Sequence, residues 1–286
     1  LAFLGPDGKV IRELKGEVQA EAAKPRELKG GTPPPAPPEE KKEAIKSEGG
    51  TAEENPPTEK KEGEEEEEGD KLADITNGHN RVSWNLRYPN AKKFTGMILW
   101  AGSTTGPKVL PGTYTAQLTA GDQKVTVPFE LRQDPRTSAS AADLKAQFDF
   151  VKSVYDKLSE VNGQITRIRE VRKALTDLKK SASKPVADAA KELDKKMTAV
   201  EETLYQTKNK SSQDPLNYPI RLNDKLAGVA DSASAGSFAP TEQQVAVRDE
   251  LVKLIDAQLA TLKAIWDADL PAFNKLVKEQ DVPAVK

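Results

Sequence analysis

Cysteine is absent from the 286 residues. That excludes disulfides, thiolate–metal sites and thiol catalysis, although it does not fix a compartment. Histidine occurs once, as His79. Asn77-Gly78-His79-Asn80 offers it no partner at the spacing of a triad or a metal motif, so it reads as a solvated or capping loop residue. There is no run of about 18 apolar residues, so no membrane-spanning helix is expected. No glycine-rich loop of phosphate-binding type is present, and Gly112 and Gly121 read as turn residues. Acidic residues are the opposite case: at 45 they are too common for any pair to be singled out as a hydrolytic dyad. No catalytic residue, cofactor site or metal ligand emerges.

The formal net charge is −2, but it is unevenly spread. Glu17 to Asp70 holds 17 acidic and 8 basic residues, which leaves the remainder at +7. Outside that segment Lys and Arg are scattered along helices rather than gathered in a stripe, so nucleic acid is not an expected partner. The segment has no aromatic residue and only Val18, Leu28 and Ile45 as large aliphatics. It carries Pro33-Pro34-Pro35-Ala36-Pro37-Pro38 and the run Glu64 to Glu68. It cannot bury enough apolar surface to offset chain entropy, and residues 17–76 are expected to be a disordered insertion. Such an insertion is tolerable because closure entropy grows by only about 0.6 kcal/mol per doubling of length.

Residues 1–16 and 77–135 have β character. Leu1 to Leu4 reads as strand without an initiating Met, as expected of a piece of a longer protein. Gly5-Pro6-Asp7-Gly8 is a turn, and Lys9 to Leu14 alternates again, which is a hairpin signal. Arg81 to Leu86 alternates with Val82, Trp84 and Leu86 on one face. Met97-Ile98-Leu99-Trp100 is apolar throughout and fits a strand or a loop tucked into a neighbour. Pro111-Gly112 turns into a strand with Tyr114, Ala116 and Leu118 on one side. Ala120 to Gln123 turns back into Lys124 to Arg132, with Val125, Val127, Phe129 and Leu131 inward. Five or six such strands predict an immunoglobulin-like β-sandwich, with Trp84, Tyr114 and Phe129 in its core.

Residues 138–280 are helical. Ser140 with Asp143 forms a capping box ahead of a helix of some forty residues, whose apolar stripe is interrupted by Arg172. Ser181 to Pro185 breaks it. Val186, Ala190, Leu193, Met197, Val200 and Leu204 mark a second helix. A third starts at a capping box from Thr241 and carries Val245 to Trp266; Pro271 should kink or terminate it. A short helix is expected across Leu222, Leu226 and Val229. Three such stripes satisfy one another in an antiparallel three-helix bundle. Each buried Leu, Ile or Val contributes roughly 1.5–3 kcal/mol.

The residues with the best claim to a surface role are Met97, Leu99, Trp100, Tyr88, Tyr218 and Arg221. Trp100 is a better candidate for exposure than Trp84. Tyr218, between Asn217 and Pro219, is expected to lock a loop, and Arg221 to pair with Asp214 or cap a carbonyl.

"DGKVIREL", "GHNRVSWNLRYPNA", "GMILWAG", "LPGTYTAQL" and "DPR" resemble the C-terminal region of bacterial sortilin-like, BNR-repeat β-propeller proteins. "SQDPLNYPIRLNDKL" is similar to the pattern those proteins carry between helices. The β-part also resembles the immunoglobulin-like domain of flagellar hook-capping proteins through Trp84, Asn85, Arg87 and Pro111 to Tyr114. The resemblance implies an exported protein and a role beside an upstream β-propeller domain. It also brings a glycosyl hydrolase label that no residue here carries. The expectation is a non-catalytic accessory or scaffolding region acting by domain packing and protein–protein interaction. The alternative is a carbohydrate-binding or adhesion module, with a glycan or cell-surface protein as partner.

Overall fold

The computed structural model describes residues 1–16, 75, 78–180 and 182–279. They divide into two compact units, Leu1–Leu14 with Ser83–Lys286, and Lys15–Val82. In the second unit Gly78 takes a φ of 104° and the Asn80 side chain donates to its carbonyl at 3.2 Å, with His79 exposed beside them. The expected disordered insertion 17–76 lies, apart from Ile75, outside the described residues.

The first unit opens with the expected hairpin. β1 (Ala2–Leu4) and β2 (Val10–Glu13) pair antiparallel across a turn that Gly8 closes at φ 73°. β3 (Gly112–Ala120) and β4 (Gln123–Leu131) form a longer hairpin on a two-residue turn, Gly121 at φ 57° and Asp122. Only a residue that tolerates positive φ suits that turn, because its twist must match the strands. β1 also pairs with β3, so the order is β2-β1-β3-β4, all antiparallel. Among the described residues this is one mixed unit of a four-stranded sheet and helices.

One face of the sheet gathers the aromatics. Phe3 stacks on Trp84 at 4.5 Å, Tyr114 lies 5.9 Å from Phe129, and Trp84 meets both edge-on. The Tyr114 hydroxyl donates to the Leu110 carbonyl, which gives the polar end of a buried ring a partner.

Arg81 to Leu86, expected as a strand, is irregular. Local chemistry outcompetes the ladder. The Asn85 side chain accepts the Arg87 N–H at 3.2 Å, the Trp84 indole donates to the Arg87 carbonyl at 3.0 Å, and Leu86 is driven to φ 58°. Short polar side chains that bond nearby backbone offer the chain such an alternative. Only an isolated bridge, Arg87 to Lys108, survives. Trp84 still reaches the core because the turn, rather than a strand, aims it there.

The helices follow. α1 (Ala141–Leu178) starts on the Ser140–Asp143 box and buries Val154, Leu158, Val161, Ile165, Ile168 and Leu175. At 38 residues it is about 57 Å long. α2 (Lys184–Leu204) has Pro185 in its first turn, where a missing N–H costs nothing. α3 (Leu222–Ser234) is the short helix anticipated around Leu226. α4 (Glu242–Ala264) begins at the Thr241–Gln244 box.

Pro271 does not end this last helix. A π-turn over Ile265–Asp269 leads into α5 (Leu270–Glu279), with the Leu270 N–H donating to the Ile265 carbonyl. A proline ring clashes with the carbonyl four residues before it. The wider turn moves that carbonyl aside and keeps Leu270, Phe273 and Val277 buried.

Candidate interaction surface

Residues 90–103 contain neither helix nor strand. They form a strap laid over the helices, and Ala91, Phe94, Met97 and Leu99 pack against them. Ala91 and Phe94 are buried in the helical core, with Met97 and Leu99 packed against it. Of the two expectations for Met97 to Trp100, the tucked loop is the observed one.

A backbone without regular structure must satisfy its polar groups elsewhere when it is covered. Here helix side chains do so. Asn162 donates to the Lys92 carbonyl at 2.7 Å, and Arg169 to that of Thr95 at 2.8 Å. The Tyr205 hydroxyl donates to Gly96 at 3.2 Å and accepts the Ile98 N–H at 3.0 Å. Asp224, in the first turn of α3, accepts the N–H groups of Trp100 and Ala101 at 3.0 and 2.8 Å. The next residue, Gly102, touches α3 itself: a Cβ there would sit 2.3 Å from the Ala227 carbonyl carbon. Glycine is required at this point by the closeness of the two backbones.

Behind the strap lies an ionic cluster. Glu201 is 1% exposed and accepts from Arg169 at 2.8 Å and Arg172 at 2.6 Å. Arg172 also reaches Asp194 at 2.7 Å and the Thr198 hydroxyl at 2.9 Å. Burial disfavours the Arg172 cation, but the hydrogen bonds it donates to Asp194 and Glu201 outweigh it and hold its pKa above the usual value. Arg169 stacks on Phe94 at 4.5 Å. Every charge in this cluster is met from inside the protein, so its geometry is that of a clamp.

Burial pushes the Asp224 carboxyl above the usual carboxylate range, against the opposing pull of the Ala101, Trp100 and Gly102 N–H groups. Desolvation is the larger effect, because it acts on the charged form of the carboxyl.

What leaves the protein at this end is aromatic. Trp100 is pinned by its backbone yet 57% exposed, as anticipated. Tyr218 stands in the approach to α3 and is also exposed, with the Lys208 ammonium 5.6 Å above its ring. Leu216, two residues earlier, is 68% exposed. Arg221 is the exposed N-cap residue of α3. It does not pair with Asp214, whose carboxylate instead accepts from the backbone of Lys210 and Ser211 at 2.6 and 2.9 Å. The loop is held by that carboxylate and by Gln206, which donates to the Pro219 carbonyl at 2.8 Å. Tyr218 itself is left facing outward.

The six anticipated surface residues therefore separate. Trp100, Tyr218 and Arg221 lie at the N-terminal end of α3. Met97 and Leu99 hold the strap down. Tyr88 is half-buried against Phe148 at 5.6 Å. Sequence reasoning missed Glu201 and Asp224. Arg172, interrupting an apolar stripe, was the available signal for a buried counter-charge. Asp224 carried none beyond its place between Leu222 and Leu226.

Two other places are chemically quieter. A recess of about 550 Å³ at the base of the sheet has Val109, Leu131 and Leu144 in its wall and Arg132 and Arg136 at its rim. Both arginines are paired, with Glu130 at 2.7 Å and Asp134 at 2.6 Å. Among the described residues no group of three or more His, Asp or Glu side chains is placed to hold a metal ion. Also among them, no helix is long and apolar enough to cross a membrane.

Comparison with known proteins finds no match to this chain among protein-family models, curated proteins or solved structures.

Proposed function

We propose that this chain is a non-catalytic accessory region that works by packing and protein–protein contact. Its contact surface is the N-terminal end of α3, with Trp100, Tyr218 and Arg221. The finer fold in this reading is an immunoglobulin-like β-sandwich followed by an antiparallel three-helix bundle. Its setting is the C-terminal region of an exported sortilin-like, BNR-repeat protein, where the β-propeller domain is the first partner.

The observation that carries the reading is Trp100. Its backbone is fixed by a buried carboxylate while its ring stands in solvent. A large aromatic carried on a backbone that is already held is the kind of side chain that dominates interface energies. The exposed Trp100 ring also favours the second reading, a carbohydrate-binding module, because an indole face suits a sugar ring.

Cross-linking of the native protein in its source, followed by mass spectrometry, tests the first reading. Trp100→Ala with Tyr218→Ala is expected to remove partner cross-links from residues 205–225 while leaving the circular dichroism spectrum unchanged. Unaltered cross-links, or glycoside hydrolysis by the chain that one carboxylate substitution abolishes, defeats the proposal. Glycan-array binding lost in Trp100→Ala decides for the second reading.

A further inference from the structure

The rim of this surface is cationic, and Lys208 stands over the Tyr218 ring. Lys208, Arg221 and Lys225 are exposed, and none forms an ion pair among the described residues. The carboxylates nearby are already engaged with backbone: Asp224 with the strap, Asp214 with Lys210 and Ser211. Elsewhere some helix lysines are paired within their own helix. Lys145, Lys152, Lys184 and Lys263 each sit on an aspartate four residues on.

We infer that the partner is an acidic protein segment, with carboxylates arranged around one or two apolar anchors. This rests on the proposed surface and names the chemistry it selects. Trp100, Leu216 and Tyr218 supply the apolar centre, and the three cations supply a rim of one sign. Electrostatic complementarity of that kind sets on-rate and partner choice. A nucleic acid fits less well. A phosphate backbone needs a continuous basic track, whereas Lys145, Lys152, Lys184 and Lys263 are paired with aspartates of their own helices and the basic residues are scattered.

The experiment is selection of a random 16-residue peptide library on the whole protein, with counter-selection on Trp100→Ala. Enriched peptides are expected to be net acidic and to contain an aromatic or aliphatic anchor. Arg221→Glu with Lys225→Glu should weaken the best synthetic peptide at least tenfold, while Lys191→Glu on α2 changes it less than twofold. Arg221→Glu is expected to fold, because a carboxylate at a helix N-terminus suits the helix dipole; near-UV circular dichroism checks this. Neutral or basic peptides, no enrichment, or tighter binding of a single-stranded oligonucleotide at the same residues overturns the inference. If peptides depend on Trp100 but not on the charge reversal, the inference alone fails. If they are indifferent to Trp100→Ala, the proposed surface fails with it.

Discussion

Asp224 and Glu201 are two carboxylates held where solvent does not help them, and they answer to different tests. The folded pKa of Asp224 is raised by burial. Its contribution to stability is therefore fully present below the ordinary carboxylate range and is lost as pH rises through its folded pKa. Asp224→Asn removes that dependence. Urea melts of both proteins between pH 4 and pH 7 should show the wild type gaining on the variant as pH falls; a constant difference defeats the assignment. Glu201 instead balances two guanidinium groups from inside the core. Glu201→Ala leaves Arg169 and Arg172 facing a void and is expected to cost about 3–5 kcal/mol, read as a fall in the urea midpoint. A loss below about 1 kcal/mol means that water reaches the pair. Arg172 was visible in the sequence as a fault in an apolar stripe. Its partner was not, because Glu201 sits beside Val200 and Leu204 on the same helix and looks like an ordinary flanking charge.

Elements whose cause is local were the legible ones. Both capping boxes, the Asp7-Gly8 turn and the break before Pro185 depend on neighbours within four residues, and each stands where expected. Arg81 to Leu86 failed because alternation alone does not reveal that Asn85 will take the Arg87 N–H. Pro271 was read with the right sterics, but the π-turn that relieves the clash has no signature in composition. Deleting Ala268 would return the helix to regular α-turns, leaving Leu270, Phe273 and Val277 on their face but bringing the Pro271 ring back against the carbonyl four residues before it. A loss of about 3 kcal/mol is expected from that clash, and an unchanged melting temperature would show that the π-turn is not what relieves it. The sheet holds a second proline device. In a two-residue hairpin the pair next to the turn is hydrogen-bonded, and bonded pairs then alternate. Pro128, opposite Thr115, thus falls at a position whose N–H would point to the open edge of β4. Val125 and Val127 are more than half exposed on that strand. Proline at such a position blunts pairing with another chain. Pro128→Thr should therefore shift the protein toward dimers or larger species in sedimentation velocity, and a variant as monodisperse as the parent counts against this role.

At the scale of the molecule the strap decides how the first unit holds together. The composition suggests a β-part and an α-part divided near residue 135, yet residues 90–103 come from the former and complete the core of the latter. Phe94 fills a space between Tyr205, at 4.8 Å, and Arg169. Without it the helices would carry a cavity of aromatic size, which costs about 3–5 kcal/mol. They would also leave the Asp224 carboxylate without its N–H donors and Asn162 and Tyr205 without their carbonyl acceptors. These contacts join residues 70 to 124 positions apart, and most run from a side chain to a backbone atom whose own residue type hardly matters. No periodicity or motif encodes them, which is why the strap was legible only as an apolar stretch of unknown placement. The consequence is measurable. A chain spanning residues 138–286 retains every helix and should keep a helical far-ultraviolet spectrum. It should nevertheless unfold without a cooperative transition and bind a hydrophobic dye, because loss of the strap opens the core along α1 and α3 together. A sharp transition at the temperature of the full chain would show instead that the helices close on themselves, and that the strap rests on a core already complete.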